Sequence, residues 1–512
     1  MDSAVIHRRR WATLGVLCVS LLIIGLDNTV LNVALATLQR ELDATAGQLQ
    51  WIVDSYTLAF AGLLLLAGAW GDKYGRRKAL LIGLLIFGGS SLWAALCETP
   101  TQLIAARAVM GVGAALIMPS TLSILTNSFT DQRERKSAIG IWAGVSGIGI
   151  AAGPALGGYL LDHFSWSSVF YINVFVVVAG LAGTLFIVPE SRDAGAPKLD
   201  LVGGLLSVVG LVALVWAIIE APGAGWGATK VVVGFGVAAV TLLAFAGWEL
   251  RHRNPMLDMR FFANRRFSVP AIAVTLVFFV LMGSAFFLSI YLQTVMGYDA
   301  LEAGLRIMPI AAGLVFGAPL AMGIAQRIGE KVPVVFGLVL LAASFVVIAG
   351  TEVHSGYGRV LTSVLIMGFG MSFAMAPATE AVMGSLPVEK AGVGSAVNDA
   401  VRQIGGALGV AVLGSIINSV YRHRMVDAVA GLPAQARDAA KDNVQGAMHV
   451  AAGLPPQAGG PLTGTAFDAF VNGLHVVAWV SVALCVVGAV VAAVWLPAHA
   501  AVAEEPELVE AK

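Results

Sequence analysis

Three ionisable residues stand inside apolar stretches where a charge is costly. They are Asp27 in LDNTVLNVAL, Asp54 in QWIVDSYTLAFAG and Arg107 in LIAARAVMGVGAA. A carboxylate within a spanning helix costs at least about 2.5 kcal/mol, so a chain that keeps one has a use for it. At 1.5 Å of rise per helical residue, Asp27 lies roughly 24 Å from the face at which its helix enters. Asp54 and Arg107 enter from the opposite face and lie about 9 Å and about 8 Å deep. In a hydrocarbon core of about 30 Å the three share one layer. Two acids and one base at one depth predict an ion-paired cluster with a surplus carboxylate. Low dielectric raises a carboxyl pKa and a nearby arginine lowers it. An acid between those effects can hold a proton or face a cationic ligand; the alternative is a salt bridge that only fixes helix packing.

A second group lies toward the other face: Glu380, with Asp399 and Arg402 beyond it. Asp399 and Arg402 are three apart, share a helix face and can neutralise each other. Glu380 could equally be interfacial. Asp72, in the turn GDKYGRR, suits a helix N-terminus and can pair with a cation to lock neighbouring helices. Gly140, Gly144, Gly149, Gly153 and Gly157 crowd one stretch with Pro154. Spacings of four allow backbones to approach closely, and proline permits a bend.

The elements that must position these residues are membrane spans. Trp51 to Trp70 supplies the roughly 20 helical residues that cross a bilayer, with a Trp at each end as an aromatic belt would have it. Apolar runs of spanning length recur fourteen times, near 11–34, 48–70, 79–97, 102–126, 137–160, 168–188, 201–220, 230–250, 268–293, 303–326, 332–351, 359–384, 391–421 and 473–497. With the N-terminus inside, alternate loops collect Lys73, Arg76, Arg77 and Lys78; Arg133, Arg135 and Lys136; Arg192 and Lys198; Arg251, Arg253, Arg260, Arg265 and Arg266; Arg327 and Lys331; and Lys390. The other face holds little beyond Arg40, Lys230 and Arg359, so both termini are expected in the cytoplasm.

Residues 68–77, GAWGDKYGRR, are echoed weakly at 322–331, MGIAQRIGEK. This predicts two parallel six-helix bundles, at 1–200 and 251–500, an inserted helix pair at 201–250 and a cytoplasmic tail at 501–512. The segment 422–472 is expected as an external loop, a surface cap with an Ala-rich helix followed by a Pro/Gly-rich stretch.

Composition excludes most other classes. Of 512 residues, 58% are hydrophobic and 12% charged, against about 25% charged in soluble domains. Acids and bases balance at 31 each, so no basic excess points to nucleic acid. Cys18, Cys97 and Cys485 stand singly without metal-ligand spacing, as small packing residues do. No G-x-x-x-x-G-K-[ST] suggests ATP hydrolysis, GVGAA at 111–115 lacks a strand and phosphate-loop context, and no Ser/His/Asp set is identifiable. Neither an enzyme, a metal site nor a cofactor is expected.

Several of these stretches resemble a known family. Gly71-Asp72-Lys73-Tyr74-Gly75-Arg76-Arg77 is similar to the signature loop of the major facilitator superfamily, and 103–115 resembles its fourth-helix signature, with Arg107 as the matching arginine. Gly153-Pro154-Ala155-Leu156-Gly157-Gly158 resembles the fifth-helix signature of its drug:proton antiporters. The segments around Asp27 and Asp54, with MPSTLSILTNSFTD and PMLD at 255–258, are similar to the fourteen-helix quaternary-ammonium exporters. The resemblance implies efflux of bulky lipophilic, often cationic compounds for inward protons across a bacterial cytoplasmic membrane by a monomer. It implies Asp27 and Asp54 as proton or cation sites, Arg107 as relay partner, Asp399 as an acidic position, and Gly68, Asp72, Gly75, Arg76, Arg77, Gly153, Pro154, Gly157 and Gly158 as gating elements. Two positions depart from it. The tenth run reads PIAAGLVFGAP, without an acid, which argues against dicationic substrates, and Trp166-Ser167-Ser168 stands where WRW is usual.

Overall fold

The computed structural model describes residues 3–497 apart from 45, 193–198, 253–254, 256 and 388–389. Lys198, Arg253, Met256, the tail at 501–512 and the side chain of Arg40 therefore lie outside the described residues. Among the described residues fourteen helices are long and apolar enough to cross a membrane. The first eight are α1 (Ser3–Glu41), α2 (Ala46–Tyr74), α3 (Arg76–Ala95), α4 (Pro100–Ser128), α5 (Gln132–His163), α6 (Ser168–Phe186), α7 (Leu201–Ala224) and α8 (Thr229–Arg251). After α9 (Arg265–Ile290), α10 (Ala300–Ile307) and α11 (Pro309–Ile328) together make one span. Then come α12 (Lys331–Ala349), α13 (Tyr357–Gly384) and α14 (Ala391–Met425), two short helices, α15 (Ala434–Asp442) and α16 (Val444–Ala452), and α17 (Pro456–Trp495).

Local sequence sets the boundaries. Thr99 caps α4, accepting from the Gln102 amide, with Pro100 in the first turn where its missing donor costs nothing. Asp131 caps α5 in the same way. Between α2 and α3 the chain reverses at Gly75 (φ 120°), and between α11 and α12 at Gly329 (φ 85°), conformations that glycine adopts without a Cβ penalty. Both belong to the echoed stretches, so the weak repeat marks two equivalent turns.

The helix pairing repeats as well. Helix α1 packs on α5 and α6, α2 on α4, and α3 on α4 and α6; likewise α9 packs on α14 and α17, α11 on α13, and α12 on α13 and α17. The two sets meet through reciprocal contacts, α5 on α11 and α2 on α14. Helix α7 lies against α8, α2 and α14, at the seam. Helix α8 turns Val232, Val233, Val237, Val240 and Leu243 outward, a face suited to lipid.

The segment 422–472 differs from a loop with one helix. Helix α14 runs on to Met425, α15 and α16 follow, and the Pro/Gly-rich stretch is already the start of α17. Pro456 occupies a first-turn position where proline is tolerated. Val429, Ala440, Val444 and Ala447 are buried, and Tyr421 donates to the Ala440 carbonyl at 3.0 Å, so this cap is packed on the second set.

Candidate functional site

Asp27 is 3% exposed and both its oxygens are held. Arg107 Nη1 of α4 donates to Oδ2 at 2.5 Å, and Asn173 Nδ2 of α6 donates to Oδ1 at 2.9 Å. Asn173 also reaches Ser91 Oγ at 3.2 Å, and Ser91 donates to the Phe170 carbonyl. Arg107 is tied a second time, Nε donating to the Ile52 carbonyl at 3.2 Å, and its guanidinium stacks 4.3 Å from the centroid of the buried Tyr56 ring. A charge-assisted pair this dry is a stable arrangement only while both partners are charged. A proton on Asp27 would leave Arg107 without its counterion, so one protonation step bears on five helices, α1, α2, α3, α4 and α6.

Asp54 does not join that pair. Ile52, Ser55 and Tyr56 form the face of α2 turned to α4, with Ser55 donating to the Ile104 carbonyl. Two residues of helix are about 200° of turn, which carries Asp54 to the other side. There its acidic neighbour is Glu220 of α7, and Gln50 hydrogen-bonds it. Leu58 and Ala61, further along that face, pack on Val215 of α7. Glu220 itself pairs with Lys230 of α8. The expected three-residue cluster is thus a pair plus a separate carboxylate facing the inserted helices.

The second group divides too. Asp399 (1% exposed) and Arg402 (3%) are buried together, with Arg402 Nη1 3.8 Å from Asp399 Oδ1. Arg402 Nη2 donates to Thr379 Oγ1 at 3.2 Å, and its guanidinium lies 5.1 Å from the Trp142 ring and 5.4 Å from the Phe278 ring. Glu380 belongs elsewhere, four residues before the end of α13. It is 2% exposed and accepts from Arg135 of α5 at 3.2 Å. Beside it Lys136 of α5 pairs with Glu330 at 2.8 Å, and Arg266 lies 3.5 Å from the same carboxylate.

Asp72 makes a further link between the two sets. It pairs with Arg76 at 2.7 Å and accepts from the amides of Gly392 and Val393 at 3.0 and 3.1 Å. The helix N-terminus it serves is therefore that of α14, in the other set, rather than that of α3. Its counterpart in the echo, Gln326, donates to the Arg133 carbonyl at the start of α5. Arg77 closes the last turn of α6, donating to the Thr184 and Leu185 carbonyls. Gly68 abuts the Gly392 backbone.

The glycines of α5 serve two contacts. A Cβ at Gly140 would meet Met322 at 2.9 Å, and one at Gly144 the Leu314 carbonyl of α11 at 3.5 Å. At Gly149, Gly153 and Gly157 the neighbours are Leu22, Thr29 and Val30 of α1, and at Gly158 Leu301 of α10. Pro154 borders Gly304 of α10. Asn173 is the site residue that sequence reasoning missed, although a lone amide in FYINVF was its visible signal.

Residues 17–410 match the Major Facilitator Superfamily. The tetracenomycin C resistance and export protein of Streptomyces glaucescens is 34% identical over 497 residues, covering 94% of this chain and 91% of that protein. The multidrug efflux pump LfrA of Mycolicibacterium smegmatis is 35% identical over 486 residues, covering 95% and 96%. The methyl viologen resistance protein SmvA of Salmonella typhimurium is 31% identical over 463 residues, covering 90% and 93%. Among solved structures, the human organic anion transporter MFSD10 aligns with a TM-score of 0.61 at 15% identity, over 93% of this chain and 99% of that one, which speaks to the fold. With its fourteen spans, its doubled helix pairing and these relatives, the chain belongs to the Major Facilitator Superfamily of membrane transporters.

Proposed function

We propose that this chain exports lipophilic, often cationic small molecules in exchange for protons, by alternating access. The observation that carries the reading is Asp27, a carboxylate buried inside the first set and held, among the described residues, by Arg107 and Asn173. Loading and unloading a proton there reorganises contacts among α1, α4 and α6. An inward proton yields about 2.3 kcal/mol per 100 mV, so the gradient is the energy source and neither a cofactor nor an enzymatic step is involved. The moving units are the bundles at 1–200 and 251–500, with 201–250 inserted and Asp72, Glu380 and the α5 glycines at their contacts. Asp54 and Asp399 are further sites for a proton or cation. The setting is a bacterial cytoplasmic membrane, with both termini inside and the monomer as the working unit.

The names of the relatives support export of drugs; the absence of an acid from Pro309 to Ile328 favours singly charged substrates, while the methyl viologen relative, named for a dication, speaks the other way. A dedicated exporter of one antibiotic is the second reading, favoured by the tetracenomycin C relative. Proteoliposomes loaded with a pH dye decide both. Ethidium, a quaternary ammonium compound and a neutral antibiotic should each drive proton movement; a response to one compound alone selects the dedicated exporter, and no response to any ends the proposal.

A further inference from the structure

Asn398 of α14 is a buried amide, 0% exposed, with neither its nitrogen nor its oxygen paired among the described residues. Buried amides are normally paired, because burial without a partner forfeits the bonds they make to water. Arg402, one turn further along α14, adds an unpartnered Nε, and its Nη1 stands too far from Asp399 for a hydrogen bond. At positions i and i+4 the two side chains share one face. Around Arg402 lie Thr379 of α13, Phe278 of α9 and, from the other set, Trp142 of α5. Trp142 is itself fixed, donating to Thr121 Oγ1 of α4 at 3.2 Å.

We infer that Asn398 and Arg402 form a specificity site for planar aromatic substrates carrying carbonyl or phenolic oxygens. This inference deepens the export reading above and rests on it. The unpartnered donors, Asn398 Nδ2 and Arg402 Nε, suit acceptor oxygens on a flat ring, and Asn398 Oδ1 suits a phenolic hydroxyl. Trp142 and Phe278 supply faces on which such a ring can stack. A tetra-substituted onium ion offers no hydrogen bond, so it leaves these groups as unsatisfied as before. A site built to hydrogen-bond a ligand discriminates sharply against one that lacks the matching group. Discrimination at this place therefore separates oxygenated aromatics from simple lipophilic cations, whereas Asp27 concerns the proton.

The test is equilibrium binding to the purified full-length protein in detergent, with doxorubicin as the oxygenated planar probe and tetraphenylphosphonium as the onium probe. Asn398→Leu removes both hydrogen-bonding atoms at similar size, and Asn398→Ser keeps a hydroxyl. For Asn398→Leu, the ratio of doxorubicin affinity to tetraphenylphosphonium affinity should fall about tenfold, the equivalent of one hydrogen bond, with a smaller fall for Asn398→Ser. Equal changes for the two probes, no change for either, or a wild type that ignores doxorubicin would each overturn the inference. A monodisperse size-exclusion profile guards against misfolding, and Asn398→Ser keeps the test open if the leucine variant fails it. Because binding is read apart from pumping, intact doxorubicin discrimination without drug-driven proton movement would count against the export reading alone.

Discussion

Arg135 of α5 and Glu380 of α13 meet at 3.2 Å across the boundary between the two helix sets. Two further links lie nearby, Lys136 to Glu330 and Asp72 to the amides that open α14. Together they tie the sets on the side that the charge distribution assigns to the cytoplasm. Each bond must break if the substrate path opens to that side, so the links set how readily it opens.

Glu380→Gln should therefore loosen the inner side. Removing one member of a fully buried pair costs about 3–5 kcal/mol because the other charge is left uncompensated; Arg135 keeps 15% of its side chain exposed, so the cost here is smaller. The variant should melt earlier, and a cysteine introduced at the inner seam should label faster with a maleimide from the cytoplasmic face. The exchange Arg135→Glu with Glu380→Arg should recover part of both losses. A double variant no better than Glu380→Gln would show that the pair carries no such link.

Gly153 allows the tightest approach between α5 and α1. A Cβ there would sit 2.8 Å from Thr29 Cβ and 3.2 Å from the Val30 amide. Gly153→Ala should then destabilise by about 1–3 kcal/mol, as overpacking does, and slow export. Gly158→Ala meets its nearest atom, Leu301 Cα, at 3.3 Å and should cost less. Melting temperatures of the two variants in detergent give the order, and a reversed order would contradict the packing described.

Cys97 lies beyond the end of α3, outside the spans, 5% exposed and donating to the Trp93 carbonyl at 3.3 Å. Burial pushes its thiol up to about 11. Only the thiolate attacks a maleimide. With the folded pKa raised above the unfolded value, the neutral thiol persists through pH 8–9, and labelling should rise as pH climbs toward 11. Detergent-unfolded protein should label readily at pH 8. Mass spectrometry of the labelled Cys97 peptide follows the change; equal rates for folded and unfolded protein at pH 8 would be incompatible with it.

The spans were legible because lipid demands uninterrupted apolar length, and all fourteen lie where composition places them. The repeat was faint in residues yet real in geometry, since Gly75 and Gly329 share a backbone requirement that few side chains tolerate. That Asp27 and Arg107 share a layer was legible too, because helical rise is constant. Azimuth was not. Whether Asp54 faces α4 or α7 depends on which helices neighbour α2, and one sequence does not state that. The partner of Glu380 is 245 residues away, a separation over which no local pattern speaks. The start of α17 was hidden by Pro455 and Pro456, which read as a loop when the helix they open is not in view.

Asp27, Arg107 and Asn173 offer the most direct test of coupling. If the proposed coupling holds, Asp27→Asn removes the carboxylate it needs and should abolish drug-driven proton movement in proteoliposomes while the protein still inserts and purifies. Asn173→Ala removes one hydrogen bond to a charged group, worth about 1.5–3 kcal/mol, and should weaken coupling by roughly ten- to a hundredfold. Arg107→Lys keeps the charge but loses the planar fork that reaches Asp27 and the Ile52 carbonyl together, so its activity should fall between the two. Residues acting through one carboxylate should not behave independently. Once Asp27 is Asn, the further change Asn173→Ala should alter residual drug binding little. If instead the two losses simply add, Asn173 is a packing residue and the proton site reduces to the Asp27–Arg107 pair.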